Sequence, residues 1–292
     1  MDYMSEIIRP PSEAESLIIV VTTGCSHNKC TFCSSTVSKE RFGIRNLDEI
    51  KVDIDEAAGY LKGIKRVFFA GRDSLITPFH KLEKIFAYIN HKFSTIERIG
   101  MYANVKSILM KSDNELKALK ELGLGIVYIG VETGDDELLK KIKKGTDTEK
   151  IISASEKVSA AGIMKSIMIV LGLAGIEGSR SHARKTSEIL NRIDPEYASA
   201  LSLLLVPGSP LYLDWERGEF NACDKYQILE ELYHIMSDLA LTDCFFSSNH
   251  ASNYLPIRGR LPGEKERLLG LLKNAIETRD DNLLRPEYLR AL

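Results

Sequence analysis

Three cysteines with the spacing C-x4-C-x2-C lie near the start of the chain: Cys25, Cys30 and Cys33. The apolar run Leu17-Ile18-Ile19-Val20-Val21 comes shortly before them and predicts a buried strand. The cysteines therefore follow the end of a strand. A loop held by a rigid strand is a common place for chemistry.

Three neighbouring thiolates suit a soft metal centre. Thiolates hold iron–sulfur clusters, and three of them leave one iron of a cubane cluster open to a small molecule. Zinc is the alternative, because it normally takes four ligands and His27 could supply the fourth. The spacing alone leaves the choice between these two metals open.

The cysteine loop resembles the cluster loop of the radical S-adenosylmethionine (SAM) superfamily. In that family three cysteines bind a [4Fe–4S] cluster and SAM chelates the fourth iron. Phe32, the aromatic residue before the last cysteine, matches the family habit, whereas the common spacing, C-x3-C-x2-C, is one residue shorter. From about residue 17 to its C-terminal segment, the chain resembles cobalamin-independent members of the branch that includes methylthiotransferases and coproporphyrinogen-oxidase-like proteins.

The composition bounds the compartment and the partners. The formal net charge is -2, so no overall basic field attracts nucleic acid. No apolar run is long enough to span a bilayer, and the first residues lack the pattern of a signal peptide. Five cysteines, three of them clustered, fit a reducing cytoplasm and a metal site better than a disulfide scaffold, while Cys223 and Cys244 receive no assignment. We therefore expect a cytoplasmic protein without a membrane partner.

Six predicted strands alternate with helices, which indicates an α/β fold with parallel pairing and right-handed crossovers. The strands are Leu17–Val21, Arg66–Gly71, Ile96–Ala103, Ile126–Val131, Ser166–Leu171 and Ala198–Val206. Six units are too few for the usual closed barrel of eight. The resemblance implies an open six-unit (β/α)6 partial TIM barrel.

The predicted domains follow from this pattern. We expect an N-terminal arm over residues 1–16, which either covers the barrel mouth or is a loose end. The radical SAM barrel spans 17–210, and a C-terminal extension of helices and loops over 211–292 caps it.

The active site of a parallel barrel forms at the carboxyl ends of its strands, so position along the chain selects the candidates. The resemblance implies contacts to SAM from the cysteine loop and from the later strand ends: Phe32, Gly71, Asp73, Ser74, Asn104, Glu132, Ser166, Met168, Leu171 and Val206. Asp73 stands where the family usually has the glutamate of Gly-Gly-Glu, and it could accept a charge-assisted hydrogen bond from the SAM ammonium. The alternative for Asp73 is a solvated strand-end turn.

Two further polar residues have alternative interpretations. Glu132 ends an apolar strand in a stretch that resembles the family's Gly-x-Glu/Gln-Ser/Thr-Gly, and a buried carboxylate needs a donor. We expect that donor to be SAM, with a structural ion pair as the alternative. His182 follows the glycine-rich loop of residues 172–175, and we interpret it as solvated rather than as a substrate contact.

A polar loop late in the chain is the predicted substrate-recognition segment. Its candidates are Asn249, His250, Tyr254, Arg258 and Arg260. Long loops of this composition often cap a site, and one of the two arginines would face an anion. The alternative is a hydrogen-bonded loop that holds the last helix.

The resemblance implies a radical SAM enzyme that works anaerobically on a small-molecule substrate. Its cluster would receive an electron from ferredoxin or flavodoxin and cleave SAM to a 5′-deoxyadenosyl radical, which abstracts a hydrogen atom. One alternative is an RNA-modifying member of the same branch, although the net charge of -2 makes nucleic acid an unfavoured partner and the basic run at residues 140–144 suits a solvated helix end. A second alternative is a non-catalytic zinc-binding module.

Overall fold

A computed structural model describes residues 8–291, which contain ten strands and ten α-helices. The strands are β1 (Leu17–Val20), β2 (Thr22–Thr23), β3 (Gly43–Ile44), β4 (Arg66–Ala70), β5 (Arg98–Ala103), β6 (Leu124–Glu132), β7 (Met164–Leu171), β8 (Tyr197–Ser202), β9 (Cys244–Ser247) and β10 (Arg258–Leu261). The helices are α1 (Leu47–Tyr60), α2 (Phe79–Lys92), α3 (Val105–Met110), α4 (Asp113–Glu121), α5 (Asp136–Lys141), α6 (Thr148–Ala160), α7 (Gly175–Ile193), α8 (Pro210–Glu216), α9 (Lys225–Asp238) and α10 (Lys265–Thr278). No helix within residues 8–291 has the length and apolar character needed to cross a bilayer.

The described chain divides into two compact units. The first unit contains residues 8–28, 38–129 and 153–165. The second contains residues 29–37, 130–152 and 166–291. The strands form a mostly parallel sheet that is not closed, which confirms the predicted open α/β fold.

In the first unit, β1, β4, β5 and the first part of β6 pair in parallel. Phe69 of β4 packs against Phe86 of α2, with 5.0 Å between ring centroids. On the other face of β4, Phe68 packs edge to face against Tyr102 and Tyr128. Both faces of these strands are therefore apolar and buried, as parallel sheets require.

Residues 8–16 lie at the amino-terminal ends of strands in the first unit. Buried Glu13 accepts a hydrogen bond of 2.6 Å from Arg98, the first residue of β5. Glu15 pairs at 3.1 Å with Arg66, the first residue of β4. The expectation that this arm covers the barrel mouth is therefore wrong for residues 8–16, because these ion pairs hold it at the opposite ends of the strands. Residues 1–7 of the predicted arm lie outside the described residues.

In the second unit, β7, β8 and β9 pair in parallel, and β10 pairs antiparallel with β9. The helix α9 packs against α7 and α10. The sequence reading missed β9 and β10, because each strand has only four residues and β10 alternates exposed arginines with buried residues. The C-terminal extension therefore contains strands as well as helices. The sixth predicted strand ends at Ser202 rather than at Val206.

Candidate active site

Cys25 belongs to the first unit and follows β2. Gly24 precedes it with φ +60°, and a Cβ at Gly24 would lie 2.7 Å from the backbone carbon of Arg41, so the loop needs glycine there. The backbone N–H of Asn28 donates a hydrogen bond of 3.3 Å to Cys25 Sγ. The thiol of Cys25 is free and half-buried, with a donor already directed at its sulfur.

Cys30 and Cys33 belong to the second unit. Their segment is held by backbone bonds at Thr31, whose N–H donates to Ile142 O at 3.0 Å and whose carbonyl accepts from Leu211 N at 2.9 Å. The hydroxyl of Ser35 donates to Cys33 Sγ at 3.2 Å. Phe32 packs against an apolar cluster formed by Leu138, Ile142, Val170, Leu173, Leu211 and Phe220. The ring of Phe32 therefore anchors the segment that carries both thiols.

Lys144 is a functional candidate that the sequence reading missed, because a run of lysines suggested a solvated helix end. Burial alone would lower the pKa of the Lys144 ammonium. The negative charges of Glu132 and of the Cys30 and Cys33 thiolates outweigh burial and raise that pKa. A positive charge therefore lies within the electrostatic reach of both thiols.

Glu132 forms a structural ion pair, which was the alternative to a contact with SAM. Its Oε1 accepts a hydrogen bond of 2.5 Å from Lys144 Nζ, and both side chains are mostly buried. Glu132 has φ +67°, and its Oε1 would lie 2.2 Å from a Cβ at Gly130. The carboxylate thus folds back over Gly130, and a side chain at that position would displace it.

Ser26 and Asn104, both half-buried, form one hydrogen-bonded network with buried Asp73 in the first unit. The Ser26 hydroxyl and the Asn104 side-chain amide each donate to Asp73 Oδ2 at 2.6 Å. The backbone N–H of Asn104 donates to Asp73 Oδ1 at 3.3 Å. Burial raises the pKa of Asp73, although its hydrogen bonds and Lys111 oppose this shift. The alternative of a solvated turn is wrong for Asp73, because its side chain is buried and fully bonded to protein groups.

Gly71 and Ser74 shape the turn after β4. A Cβ at Gly71, whose φ is +124°, would lie 2.1 Å from Thr22 Oγ1 and 2.6 Å from Thr22 O. The Ser74 hydroxyl lies 3.0 Å from each of Phe69 O and Ala70 O and closes the end of the strand. The hydroxyl of Ser74 therefore serves the turn itself, and only the backbone of this turn remains a candidate SAM contact.

The candidates on β7 divide between its two faces. Ser166 pairs with Tyr197 of β8 and Met168 pairs with Ser199, so these two candidates share one face of the strand. Leu171 is fully buried on the opposite face. Val206 is half-buried and lies beyond β8, where its carbonyl accepts from Ser209 N at 3.0 Å.

His182 lies in a buried network rather than in solvent. Its Nδ1 lies 2.9 Å from Thr133 Oγ1, and its Nε2 lies 3.6 Å from Oε1 of Glu231 on α9. Burial lowers the pKa of His182 to about 4 and raises the pKa of Glu231 to about 7. Glu231 also accepts hydrogen bonds from Gly172 N, at 2.7 Å, and from the Ser179 hydroxyl. The interpretation of His182 as solvated is therefore wrong, and Glu231 fixes the start of the glycine-rich loop.

Most of the predicted substrate loop is hydrogen-bonded to other residues of the protein. Arg285 donates to the carbonyls of His250, Ala251 and Asn253. Arg290 donates to Leu203 O at 3.1 Å and to Ser252 O at 2.7 Å, and its guanidinium lies 3.9 Å from the ring centre of Tyr254. The alternative of a hydrogen-bonded loop therefore describes Tyr254 and the loop backbone, although their partners are in the C-terminal segment and not in the last helix.

The other candidates of this loop are more exposed or locally bonded. Asn249 is exposed, and His250 Nδ1 lies 3.0 Å from the Ser252 hydroxyl. Arg258 and Arg260 lie on β10 with exposed side chains, and Arg260 Nε donates to Asp243 Oδ1 at 2.5 Å. An anion-binding role for Arg260 would require it to leave this carboxylate.

The donor set of the cysteine loop fits an iron–sulfur cluster in its chemistry. It offers three half-buried thiols that form no disulfide, and Cys25 and Cys33 each accept a hydrogen bond from a nearby donor, as cluster thiolates do. By contrast, burial raises the pKa of Cys223 and of Cys244 to about 12, which makes them poor thiolate ligands. Within residues 8–291, no group of three His, Cys, Asp or Glu side chains is already arranged to hold a metal ion.

Comparison with known families identifies the class of protein. Residues 19–177, more than half of the chain, match the family model described as the radical SAM superfamily. The chain belongs to the radical SAM superfamily, as the cysteine loop predicted. It is an enzyme whose cofactors are a [4Fe–4S] cluster and SAM.

Individual relatives share only part of the chain. It is similar to the heme chaperone HemW of Bacillus subtilis, with 24% identity over 180 residues, which covers 60% of this chain and 46% of that protein. It is also similar to a tRNA uridine(34) acetyltransferase of Methanocaldococcus infernus, with 27% identity over 128 residues, 43% of this chain and 24% of that protein. The chain thus spans less than half the length of these curated relatives.

Among solved structures, coproporphyrinogen III oxidase (HemN) from Escherichia coli has a TM-score of 0.58 at 14% identity. The match covers 76% of this chain and 51% of that chain. At this level of identity the likeness shows the fold alone.

Proposed function

We propose that Cys25, Cys30 and Cys33 hold the [4Fe–4S] cluster and that the enzyme acts on a small-molecule substrate. When bound and reduced, the cluster supplies the electron that cleaves SAM to methionine and a 5′-deoxyadenosyl radical, which abstracts a hydrogen atom from the substrate. The observation that carries this proposal is the three-cysteine loop with hydrogen-bond donors directed at Cys25 and Cys33. Three sulfur ligands leave one iron for SAM.

The residues around the thiols would stabilise the negative charge of a cluster bound to them. The Asn28 amide and the Ser35 hydroxyl donate to sulfur, and such bonds raise the potential of a cluster. Lys144 adds a positive charge that acts on Cys30 and Cys33. Together these groups would offset part of the negative charge that a reduced cluster gains.

Lys144 and Glu132 are the favoured contacts for the methionyl end of SAM. Lys144, whose charge interacts with Cys30 and Cys33, offers a positive charge to the carboxylate of SAM, and its partner Glu132 offers a negative charge to the ammonium. Binding would exchange the ion pair for these two groups. The other proposed SAM contacts are Phe32, the Gly71 backbone, Ser166, Met168, Leu171 and Val206.

Anaerobic reconstitution with iron and sulfide tests the function. We expect a brown protein with one cubane per chain that converts SAM to 5′-deoxyadenosine when dithionite, or reduced ferredoxin or flavodoxin, supplies electrons. Replacing Cys30 by alanine should abolish both the cluster and the cleavage. The matched control is Cys223→Ala. Because Cys223 is not on the cysteine loop, this substitution should leave the cluster and the cleavage of SAM unchanged. A colourless protein that binds one zinc would refute the proposal.

An RNA-modifying activity is the second candidate. Its support is the similarity to a tRNA uridine(34) acetyltransferase and the exposed lysines 140, 141 and 143. If RNA is the substrate, bulk tRNA should bind with an affinity that falls steeply with salt, and Lys140→Glu with Lys141→Glu should weaken binding. Absence of salt-dependent tRNA binding by the reconstituted enzyme would favour the small-molecule substrate.

A further inference from the structure

The Asp73 carboxylate joins three separate segments of the first unit. It follows β4, it accepts from Ser26 in the cysteine loop, and it accepts from Asn104 at the end of β5. The Asn104 side chain also donates to the Ser26 hydroxyl at 3.1 Å. Ser26 is the residue directly after Cys25, so this network reaches the backbone of the first proposed ligand.

The network is anchored by rigid structure on the side away from the cysteine loop. Asn104 caps α3 through a reciprocal capping box, in which its side chain accepts from Ser107 N at 2.7 Å and the Ser107 hydroxyl lies 3.1 Å from Asn104 N. Its amide orientation is thereby fixed, with the NH2 group directed at Asp73 and Ser26. Asp73 and Asn104 therefore tie Ser26, and with it the cysteine loop, to the ends of β4 and β5.

Asp73 also has little capacity left for an external ligand. Its side chain is 1% exposed, and both of its oxygens accept hydrogen bonds from protein groups. A buried carboxylate that lost these donors would pay a large desolvation cost. Contact with the SAM ammonium would require the network to break.

We propose that Asp73 is a positioning residue that holds the Cys25 side of the cluster loop through Ser26, rather than a ligand of SAM. Asn104 supports it as the fixed second donor. The effect on cluster retention rests on the proposed function. The contact of Asp73 with the cysteine loop, however, is present without a cluster. This positioning role replaces the expectation from the sequence that Asp73 and Asn104 contact SAM.

The test compares Ser26→Ala, Asp73→Ala and the double variant in the full chain, with Ser38→Ala as the matched control. Ser38 is an exposed serine of the same loop that has no bond to Asp73. Before reconstitution, hydrogen exchange of the amides of residues 24–28 should be faster in both single variants than in the wild type. The double variant should exchange no faster than either single variant, because all three remove the same contact. After reconstitution, each of the three variants should lose iron to a chelator roughly tenfold faster than the wild type, as is typical when a group that orients a metal ligand is removed.

The outcomes separate this inference from the proposed function. If Asp73 were a SAM ligand, Asp73→Ala would keep normal exchange and normal iron retention but lose SAM affinity, and Ser26→Ala would change neither. That result would overturn the inference. Should Asp73→Ala fail to fold, Ser26→Ala carries the same test, since unchanged exchange and iron retention in this variant would also overturn it. A wild-type chain that takes up no cluster would refute the proposed function, while faster exchange in the variants would still support the hold on the loop.

Discussion

Lys144 Nζ lies 2.5 Å from Glu132 Oε1, and the positive charge of Lys144 interacts with Cys30 and Cys33 of the cysteine loop. Glu132 ends β6, and Lys144 follows α5, so both residues lie near one strand end of the second unit. The pair is mostly buried, where charges are poorly screened by salt. The charge of Lys144 therefore contributes to the electrostatic potential at Cys30 and Cys33.

Changing either member of this pair should shift the cluster potential in opposite directions. Lys144→Met removes a cation and should lower the midpoint potential, because the reduced cluster carries one more negative charge. Glu132→Gln removes an anion and should raise it. Each shift should be on the order of tens of mV, measured by a redox titration of the SAM-free protein followed by electron paramagnetic resonance.

The control for this prediction is Lys140→Met, which removes an exposed lysine of α5. Its charge is screened by solvent, and its potential should match that of the wild type. Shifts of the same sign in Lys144→Met and Glu132→Gln would show that structural disturbance, not charge, controls the potential.

Glu231 should make stability depend on pH. Its pKa is raised from the ordinary 4.5 to about 7 by burial, so the folded chain holds a proton that the unfolded chain releases between these values. The contribution of Glu231 to the free energy of unfolding should therefore fall as pH rises from 4.5 to 7 and level off above, while His182, whose pKa is lowered from 6.5 to about 4, contributes in the opposite direction between these two values. Glu231→Gln cannot ionise and should gain up to about 3 kcal/mol relative to the wild type between pH 5 and pH 8. Urea unfolding at both pH values measures this change, and an identical difference at pH 5 and pH 8 would contradict it.

Gly71→Ala should destabilise the chain strongly. The new Cβ would lie 2.1 Å from Thr22 Oγ1 and 2.6 Å from Thr22 O, at a φ of +124° that only glycine adopts readily. We expect a loss of more than about 3 kcal/mol in the free energy of unfolding. The matched control is Gly59→Ala in α1, where no atom lies within 4 Å of the added Cβ. That variant should be neutral or gain up to about 1 kcal/mol, and equal effects at the two positions would refute the argument.

Arg290→Ala should release the polar loop after β9. Arg290 is almost fully buried and donates to Leu203 O, Ser252 O and the Tyr254 hydroxyl, so its loss leaves these acceptors unpaired. The free energy of unfolding should fall by about 2 to 4 kcal/mol, and amides of residues 248–257 should exchange faster. Arg184→Ala is the control, because its exposed pair with Glu188 contributes little. A loop that keeps its exchange rate in Arg290→Ala would show that other contacts hold it.

The sequence by itself determined the cysteine loop, the alternation of strands and helices and the membership in the superfamily. These features are carried by contiguous residues, since a strand, a helix or a metal-binding loop is encoded by local spacing. The short strands β9 and β10 were missed for the same reason, because four residues give too little periodicity to distinguish a strand from a polar loop.

Only the tertiary structure decided which polar residues are bonded to one another. Ser26, Asp73 and Asn104 lie far apart in the chain and meet because parallel strands bring their carboxyl ends to one edge of the sheet. His182 and Lys144 had the local sequence of solvated helix residues, yet packing placed one beside Glu231 and the other beside Glu132. The burial and the charge of a side chain depend on the solvent and the charged groups around it. Folding brings these groups together from segments that are distant in the sequence, so no local pattern reveals them.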